Sequence, residues 1–208
     1  MTSETAICNA ALAKIGEREI TSLADDNPPA KAMSKRYARL RDLELSRSVW
    51  RFAVEIAQLT ADGAAPTFGY SQRFAMPSDS LRPLLVGNIY APLGEEGVHY
   101  TAAYAYAAPR PHFEIIGQYV HTDLAAPLEF TYVKRITDPT RFSDLFIEAL
   151  ASKLAWDAVD ELTNSPGRQD RAKQDYADAM SAARMQNALW RPPRQRRSGA
   201  WVRSRRYG

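Results

Sequence analysis

Prolines and glycines divide this 208-residue chain into two kinds of segment. Most of the thirteen prolines lie between Pro66 and Pro139, and six of the ten glycines lie between Gly63 and Gly117. Because proline fixes φ and lacks a backbone N–H, this density excludes long helices from the block. On either side, apolar residues recur at the three- and four-residue spacing of a helix. The sequence therefore predicts helical ends around a β-rich centre.

Two helices are predicted before this block. The first begins at a Thr2 or Ser3 cap and ends at Gly16, which tolerates the positive φ of a helix stop. The second begins at Pro28 and Pro29, because a first-turn proline loses no intrahelical hydrogen bond. We expect their apolar stripes to contain Ile7, Ala11, Leu12 and Ile15 in the first helix, and Met33, Tyr37, Leu40, Leu43, Val49, Trp50 and Phe52 along the second.

The central block contains short runs that are rich in aromatic and β-branched residues. Turn residues separate these runs at intervals of roughly 8–14 residues, which is typical of short antiparallel strands. The sequence predicts a small antiparallel meander or barrel. Its strands are expected within residues 70–76, 84–90, 98–106, 112–120 and 128–136.

Helical periodicity returns at Asp138-Pro139, a cap followed by a first-turn proline. A break at residues 164–167 separates two more helices, with Ser165 as the cap of the second. So short a linker makes them antiparallel neighbours. Their predicted apolar stripes are Phe142, Leu145, Phe146, Ala149, Leu150, Leu154, Ala158 and Leu162, and then Ala172, Tyr176, Ala179, Met180 and Ala183.

The expected fold class is α+β. Because a helix pair cannot bury both of its faces alone, residues 1–54 are expected to pack with residues 139–190 as one helical bundle. Residues 55–138 then form a β-rich insert subdomain that projects from one end of the bundle. Residues 191–208 form an extended, arginine-rich C-terminal arm.

The positive charge of the chain is concentrated in that arm. Residues 191–208 carry seven arginines and no acidic residue; the whole chain carries +3, so residues 1–190 carry −4. This distribution indicates a charged arm on a mildly acidic body, not a nucleic-acid-binding surface spread over the fold. The candidate partner-binding residues are Arg191, Arg194, Arg196, Arg197, Trp201, Arg203, Arg205, Arg206 and Tyr207.

Three interpretations of the arm remain open. It is a disordered solubilising end, an arm that orders on the acidic surface of a partner, or a nucleic-acid contact. Arginine beside aromatic residues pairs with carboxylates, grips phosphates or stacks on planar groups. Trp201 and Tyr207 favour an ordering arm, since disordered tails are poor in aromatic residues.

The sequence contains no motif that indicates catalysis, a metal or a cofactor. Phosphate-binding loops, the nucleophile elbow and the HExxH zinc motif are all missing from it. The remaining candidate groups are interpreted structurally, and we predict a protein that is not an enzyme. These groups are His99, His112 and His121 on strand or turn surfaces, Glu95 and Glu96 in a solvated loop, Asp157, Asp160 and Glu161 on a polar helix face, and Cys8 as an inert buried thiol.

Targeting signals are also missing from the sequence. The first residues lack the basic-then-apolar order of a secretory signal, and no run approaches the roughly 18 apolar residues of a membrane span. We expect synthesis in the cytoplasm. The single cysteine excludes an intrachain disulfide.

Four segments of the chain together resemble the phage tail tubular protein A family, the adaptor or gatekeeper proteins of head–tail connectors. Residues 6–17 are similar to the family's N-x-x-L-x-x-I-G-E start, and residues 48–53 to the end of its second helix. Residues 70–82 are similar to its L-P-x-D-x-L-R signature, with Met76 where leucine is usual. Residues 130–155 resemble the return into its helical bundle.

This resemblance implies a structural virion protein at the head–tail junction. It implies a homo-oligomeric ring of twelve copies beneath the portal protein, a channel for genomic DNA without sequence-specific recognition, and a platform for the next tail or nozzle component. Neither a cofactor nor a membrane is implied. The arm is then expected to reach the portal or a neighbouring subunit. The alternative is a nucleic-acid-binding protein that uses the arm; a third hypothesis is an enzyme with its site around the three histidines.

Overall fold

A computed structural model of the chain describes residues 2–64, 66, 69–87, 89–90, 112–163 and 165–190. Over these residues the protein is mixed α+β, with four α-helices and two small antiparallel sheets, which confirms the predicted class. The helices are α1 (Glu4–Ile15), α2 (Pro28–Arg47), α3 (Asp144–Thr163) and α4 (Pro166–Leu189). The strands are β1 (Val54–Leu59), β2 (Gln72–Ala75), β3 (Ser80–Val86), β4 (Ile89–Tyr90), β5 (Phe113–Ile116), β6 (Tyr119–Thr122) and β7 (Leu128–Lys134).

Helix α1 has the two ends that the sequence predicts. The Ser3 side chain accepts a hydrogen bond from the Ala6 N–H at 3.1 Å and so satisfies one of the free donors of the first turn. At the other end Gly16 has a φ of +74°. The N–H groups of Gly16 and Glu17 donate to the carbonyls of Ala13 and Leu12, which is the Schellman pattern.

Helix α2 begins at the predicted prolines but ends earlier than its predicted stripe. Asn27 caps it, and the helix stops at Arg47, so Val49, Trp50 and Phe52 lie beyond it. The extension of the stripe through Leu43 is wrong, because that side chain is 43 % exposed. One helical turn after Leu40 the inward position is instead taken by Glu44, which is fully buried.

The strands form two separate antiparallel sheets in the described part of the chain. One has the order β1-β7-β3-β4 and the other the order β2-β6-β5. The predicted meander or barrel is therefore wrong there, because β7 pairs with β1 and β3, which are distant in sequence. The predicted run 112–120 is a hairpin, which turns at Gly117 with a φ of +61°. Strand β1 was not predicted, and the run 98–106 lies outside the described residues.

The four-stranded sheet lies between two clusters of buried side chains. On one side, Val133 and Ile136 join a cluster that draws residues from all four helices. On the other side, Phe130 and Tyr132 pack against Phe74 and Val120 of the second sheet. Helical and β-rich regions therefore share apolar contacts across this sheet. The predicted domain boundaries stay a prediction.

Helices α3 and α4 are antiparallel, as the short linker predicts. Asp160 near the end of α3 accepts a hydrogen bond from Gln169 near the start of α4 at 2.7 Å. Earlier in α3, the Trp156 ring stacks on Tyr176 with 5.6 Å between ring centroids. Ser165 precedes α4 as predicted, although its side chain makes no capping hydrogen bond.

Four aromatic rings connect the helices with the first strand. Trp50 is 1 % exposed, and its ring centroid lies 4.9 Å from that of Phe146. Phe52 and Phe142 lie 5.2 Å and 5.1 Å from the same phenylalanine, with rings at steep angles to it. Edge-to-face contacts of this kind add about 0.5–1.5 kcal/mol each beyond the burial of apolar area.

A buried polar cluster ties α2 to α4. The Oε1 atom of Glu44 accepts hydrogen bonds from the Tyr176 hydroxyl at 2.9 Å and from Arg47 at 3.3 Å. The backbone carbonyl of Glu44 accepts one from the Trp50 indole at 2.8 Å. Both the carboxylate and the main chain of this residue therefore fix neighbouring elements.

Removal of the Tyr176 hydroxyl should destabilise the protein, whereas removal of the Tyr37 hydroxyl should not. Tyr176→Phe leaves the buried Glu44 carboxylate with Arg47 alone, and we expect the free energy of unfolding to fall by about 1–3 kcal/mol. The Tyr37 hydroxyl is buried without a hydrogen-bond partner among the described residues. Tyr37→Phe removes a buried hydroxyl that has no such partner, so the free energy of unfolding should stay the same or rise. Urea denaturation of both variants measures this difference, and equal losses would contradict the assignment.

Candidate functional site

The predicted partner-binding residues of the arm lie outside the described residues. This holds for Arg191, Arg194, Arg196, Arg197, Trp201, Arg203, Arg205, Arg206 and Tyr207. What the structure does place is the base of the arm, at the C-terminal end of α4. The position of this base decides from which part of the body the arm leaves.

The base of the arm is attached to the segment that links α2 to β1. The Asn187 amide donates to the Val49 carbonyl at 2.7 Å, and its oxygen accepts from the Arg51 N–H at 2.9 Å. One turn earlier, Arg184 Nε donates to Ser48 Oγ at 3.1 Å. The two side chains hold the last turns of α4 beside the link, so the arm starts from a defined place.

Large apolar side chains are exposed around this base. Met185, Leu189 and Trp190 are 70 %, 75 % and 53 % exposed, and Val49 is exposed beside them. The predicted apolar stripe of α4 covers 172–183, and its Ala172, Tyr176, Met180 and Ala183 are buried. Helix α4 continues for nearly two turns beyond these buried residues, and the apolar side chains of those turns are exposed to solvent.

The segment that resembles the L-P-x-D-x-L-R signature forms the turn into β3. The Ser80 N–H donates to the Pro77 carbonyl at 2.9 Å, and the Asp79 carbonyl accepts from the Arg135 N–H at 2.7 Å. The Asp79 carboxylate accepts from the Tyr132 hydroxyl at 3.1 Å. Burial and this hydrogen bond raise the pKa of Tyr132 to about 12. In this structure the aspartate fixes a turn to β7.

The arginine of the same segment was not singled out by the sequence. Arg82 is half-buried, and its Nε has no hydrogen-bond partner among the described residues. Burial lowers the pKa of its guanidinium. No sequence pattern separates such an arginine from a solvated one, because its environment depends on the sheet.

Two of the three histidines, His112 and His121, lie among the described residues. His112 is exposed just before β5, and its carbonyl accepts a hydrogen bond from Thr122 Oγ1 at 2.7 Å. His121 lies half-buried on β6, opposite Arg73 and Glu114. His99 falls outside the described residues, as do Glu95 and Glu96. In the part of the chain that the structure covers, no three His, Cys, Asp or Glu side chains form a group that could hold a metal ion.

The three carboxylates of α3 make contacts within the protein. Asp157 pairs with Arg36 at 3.1 Å and Arg39 at 3.0 Å, while Glu161 pairs with Arg36 at 2.6 Å. The hydrogen bond and charge of Arg36 lower the pKa of Glu161. Asp160, as described above, accepts from Gln169. These carboxylates therefore connect α3 to α2 and α4, whereas the sequence predicted only a solvated polar face.

Two further titratable groups are shifted by burial. Cys8 is fully buried in α1, and desolvation together with the charge of Glu4 raises its pKa to about 12. Lys153 lies with its Nζ 3.8 Å from the centroid of the Trp156 ring, and desolvation lowers its pKa. The buried thiol was predicted from the sequence, whereas the shifted lysine was not. Its three-residue spacing from a tryptophan in a predicted helix was the available signal.

Comparisons with known proteins add no relative to this description: no protein-family model and no curated protein matches the sequence.

Within the described residues, none of the helices combines the length and the apolar character that a membrane crossing requires.

Alkaline pH should destabilise the folded protein in a defined range. The folded pKa of Cys8 lies near 12 against an ordinary value of 9.0, and those of Tyr132 and Tyr176 lie near 12 against 10.0. Because each value is raised, the folded state binds more protons than the unfolded state between these limits. The associated stability is complete below about pH 9 and is lost as the pH rises towards 12.

Urea denaturation midpoints at three pH values near 8, 9.5 and 11 test this dependence. The midpoint should fall at each step, and in Cys8→Ala the first step should shrink. An unchanged midpoint up to pH 11 would contradict the buried placement of the three groups.

Proposed function

We propose that this chain is a structural virion protein, the adaptor ring of a phage head-to-tail connector. It docks beneath the portal, forms part of the DNA channel and provides the platform for the next tail component. It acts at the head–tail junction after synthesis in the host cytoplasm, without catalysis and without a cofactor. The proposal rests on the four segments that resemble the tail tubular protein A family.

The observation that carries the proposal is the place of those segments in the fold. Residues 48–53 and 130–155 are far apart in sequence, yet Trp50 and Phe146 meet in one aromatic cluster. Gly16 ends α1, and Asp79 fixes the turn into β3. The four segments include these joints, as is expected of a shared fold, because such positions determine how the elements connect.

The proposed architecture is a helical bundle that a β-rich insert interrupts. Residues 1–54 and 139–190 make the bundle, and 55–138 make the insert. The common cluster of buried residues from α1 to α4 supports the bundle. The packing of Leu81 and Leu84 from β3 against that cluster supports an insert that is held at a fixed angle to it.

The proposed ring contains twelve copies, each of which meets its neighbour through two different faces. Residues 1–190 carry −4, so the body would not hold the DNA phosphates that pass through the channel. The arm supplies the attraction to partners instead. Its arginines, with Trp201 and Tyr207, reach the portal or a neighbouring subunit.

Loss of the arm should prevent docking. Deletion of residues 191–208 removes seven arginines, and we expect the deleted protein to stay folded but not to bind portal-bearing heads. A full-length variant in which these arginines are changed to glutamine separates the effect of losing charge from the effect of losing chain length. Electron microscopy of the chain mixed with portal should show a stacked ring for the unchanged protein alone. Undiminished docking by the deleted protein would contradict the role of the arm.

The alternative is a nucleic-acid-binding protein, favoured by the confinement of seven arginines to 18 residues. A salt titration of duplex DNA binding separates the two functions. If the arm neutralises phosphates, the logarithm of the binding constant should fall with the logarithm of salt with a slope of up to about −6. Weak binding with a shallow slope supports the adaptor.

A further inference from the structure

We infer that the groove between the end of α2 and the C-terminal half of α4 is a docking site for an acidic amphipathic helix of a partner protein. The groove has a volume of about 340 Å³. Of the residues that line it, two are arginines and none is acidic. They are Arg47, Tyr176, Ala177, Met180, Ser181 and Arg184.

The two arginines are held in place by the protein itself. Arg47 donates from Nη1 to the Tyr176 hydroxyl at 2.7 Å and to Glu44 at 3.3 Å. Arg184 donates from Nε to Ser48 Oγ at 3.1 Å, and among the described residues neither of its terminal nitrogens has a hydrogen-bond partner. A guanidinium that is already oriented binds a carboxylate through two parallel hydrogen bonds at a small entropic cost. The arginines therefore point to carboxylates on the partner.

Apolar residues extend the groove along α4. Ser181, Met185 and Leu189 follow one another at four-residue spacing and so share a face of the helix. The last two are 70 % and 75 % exposed. Ala177 and Ser181 are small and exposed, which allows a second helix to approach closely. A phosphate backbone would leave these apolar side chains uncovered, whereas an amphipathic helix presents apolar residues and carboxylates at matching intervals.

The charge of the chain excludes its own arm as the occupant. Residues 179–208 contain eight arginines and no acidic residue, so the arm and the groove repel each other. The exposed Arg51 beside the base of the arm adds to this positive field. An acidic partner is attracted to the groove and to the arm at once, and the fixed side chains of the groove supply an orientation that charge alone does not.

Peptide binding to the full-length chain tests the inference. The probe is a labelled synthetic helix of about 18 residues made of Leu, Glu and Ala, with leucines along one face. A peptide of the same composition with dispersed leucines is its control. Two variants alter the groove: Arg47→Gln/Arg184→Gln removes charge, and Met185→Ser/Leu189→Ser removes exposed apolar surface. Arg171→Gln/Lys173→Gln removes equal charge from the other half of α4. Circular dichroism verifies folding.

The Kd of the amphipathic peptide should rise about tenfold or more in each groove variant and less than about threefold in the Arg171/Lys173 control. Equal weakening in all three variants, or equal binding of the dispersed peptide, would overturn the inference in favour of net charge. Displacement by duplex DNA, with no effect of Met185→Ser/Leu189→Ser, would identify a phosphate surface instead. Self-association lost in both groove variants would place a second copy in the groove.

This inference does not depend on the proposed adaptor role. The chain without residues 191–208 lacks the attraction of seven arginines, but its peptide binding should still be weakened by both groove variants, because the groove belongs to the body. If that peptide binding fails while docking to portal-bearing heads still requires the arm, the groove is refuted and the adaptor function stands. If the peptide binds as expected while the full chain fails to dock onto portal-bearing heads, the adaptor function alone is refuted.

Discussion

The buried carboxylate of Glu44 constrains how the helices of this protein pack. A carboxylate removed from water costs several kcal/mol unless partners offset the lost hydration. Its partners here are the Tyr176 hydroxyl at 2.9 Å and Arg47 at 3.3 Å. Since Tyr176 belongs to α4, the two helices must meet with these side chains opposed. The main-chain carbonyl of Glu44 also holds Trp50, so the same residue determines where the chain leaves α2.

The orientation of Trp50 in turn positions the four-stranded sheet. Its ring packs against Phe146 at the start of α3, and β1 begins four residues after Trp50. Ion pairs secure the same joint from the outside, because Asp42 on α2 binds both Arg41 and Arg135 just after β7. The sheet is thus attached through its two adjacent strands β1 and β7. A change in the angle of either strand would disturb the apolar clusters on both faces.

Whether a feature could be predicted from the sequence depends on how far apart in the chain the residues that determine it lie. Ser3 and Gly16 act on their own helix ends, and both ends of α1 were predicted. The burial of Glu44 in place of Leu43 depends on Tyr176, which no local pattern reveals. The pairing of β7 with β1 is equally non-local, so the sheet order was mispredicted. The arm could be recognised in the sequence as a run of arginines. The groove could not, because Arg47 and Arg184 come from separate helices.

The charged residues of this protein fall into two groups: those before residue 179 have both signs, and those after it are all positive. Within the body, Arg36, Arg41 and Arg135 each pair with a carboxylate of another helix or neighbouring residue, and these pairs stabilise the packing of the elements. From residue 179 onwards the chain has arginines but no acid. The groove beside α4 is lined by two arginines and by no acidic residue. An acidic partner would meet the groove arginines beside the exposed Met185 and Leu189, so charge and apolar surface would be contacted at one place.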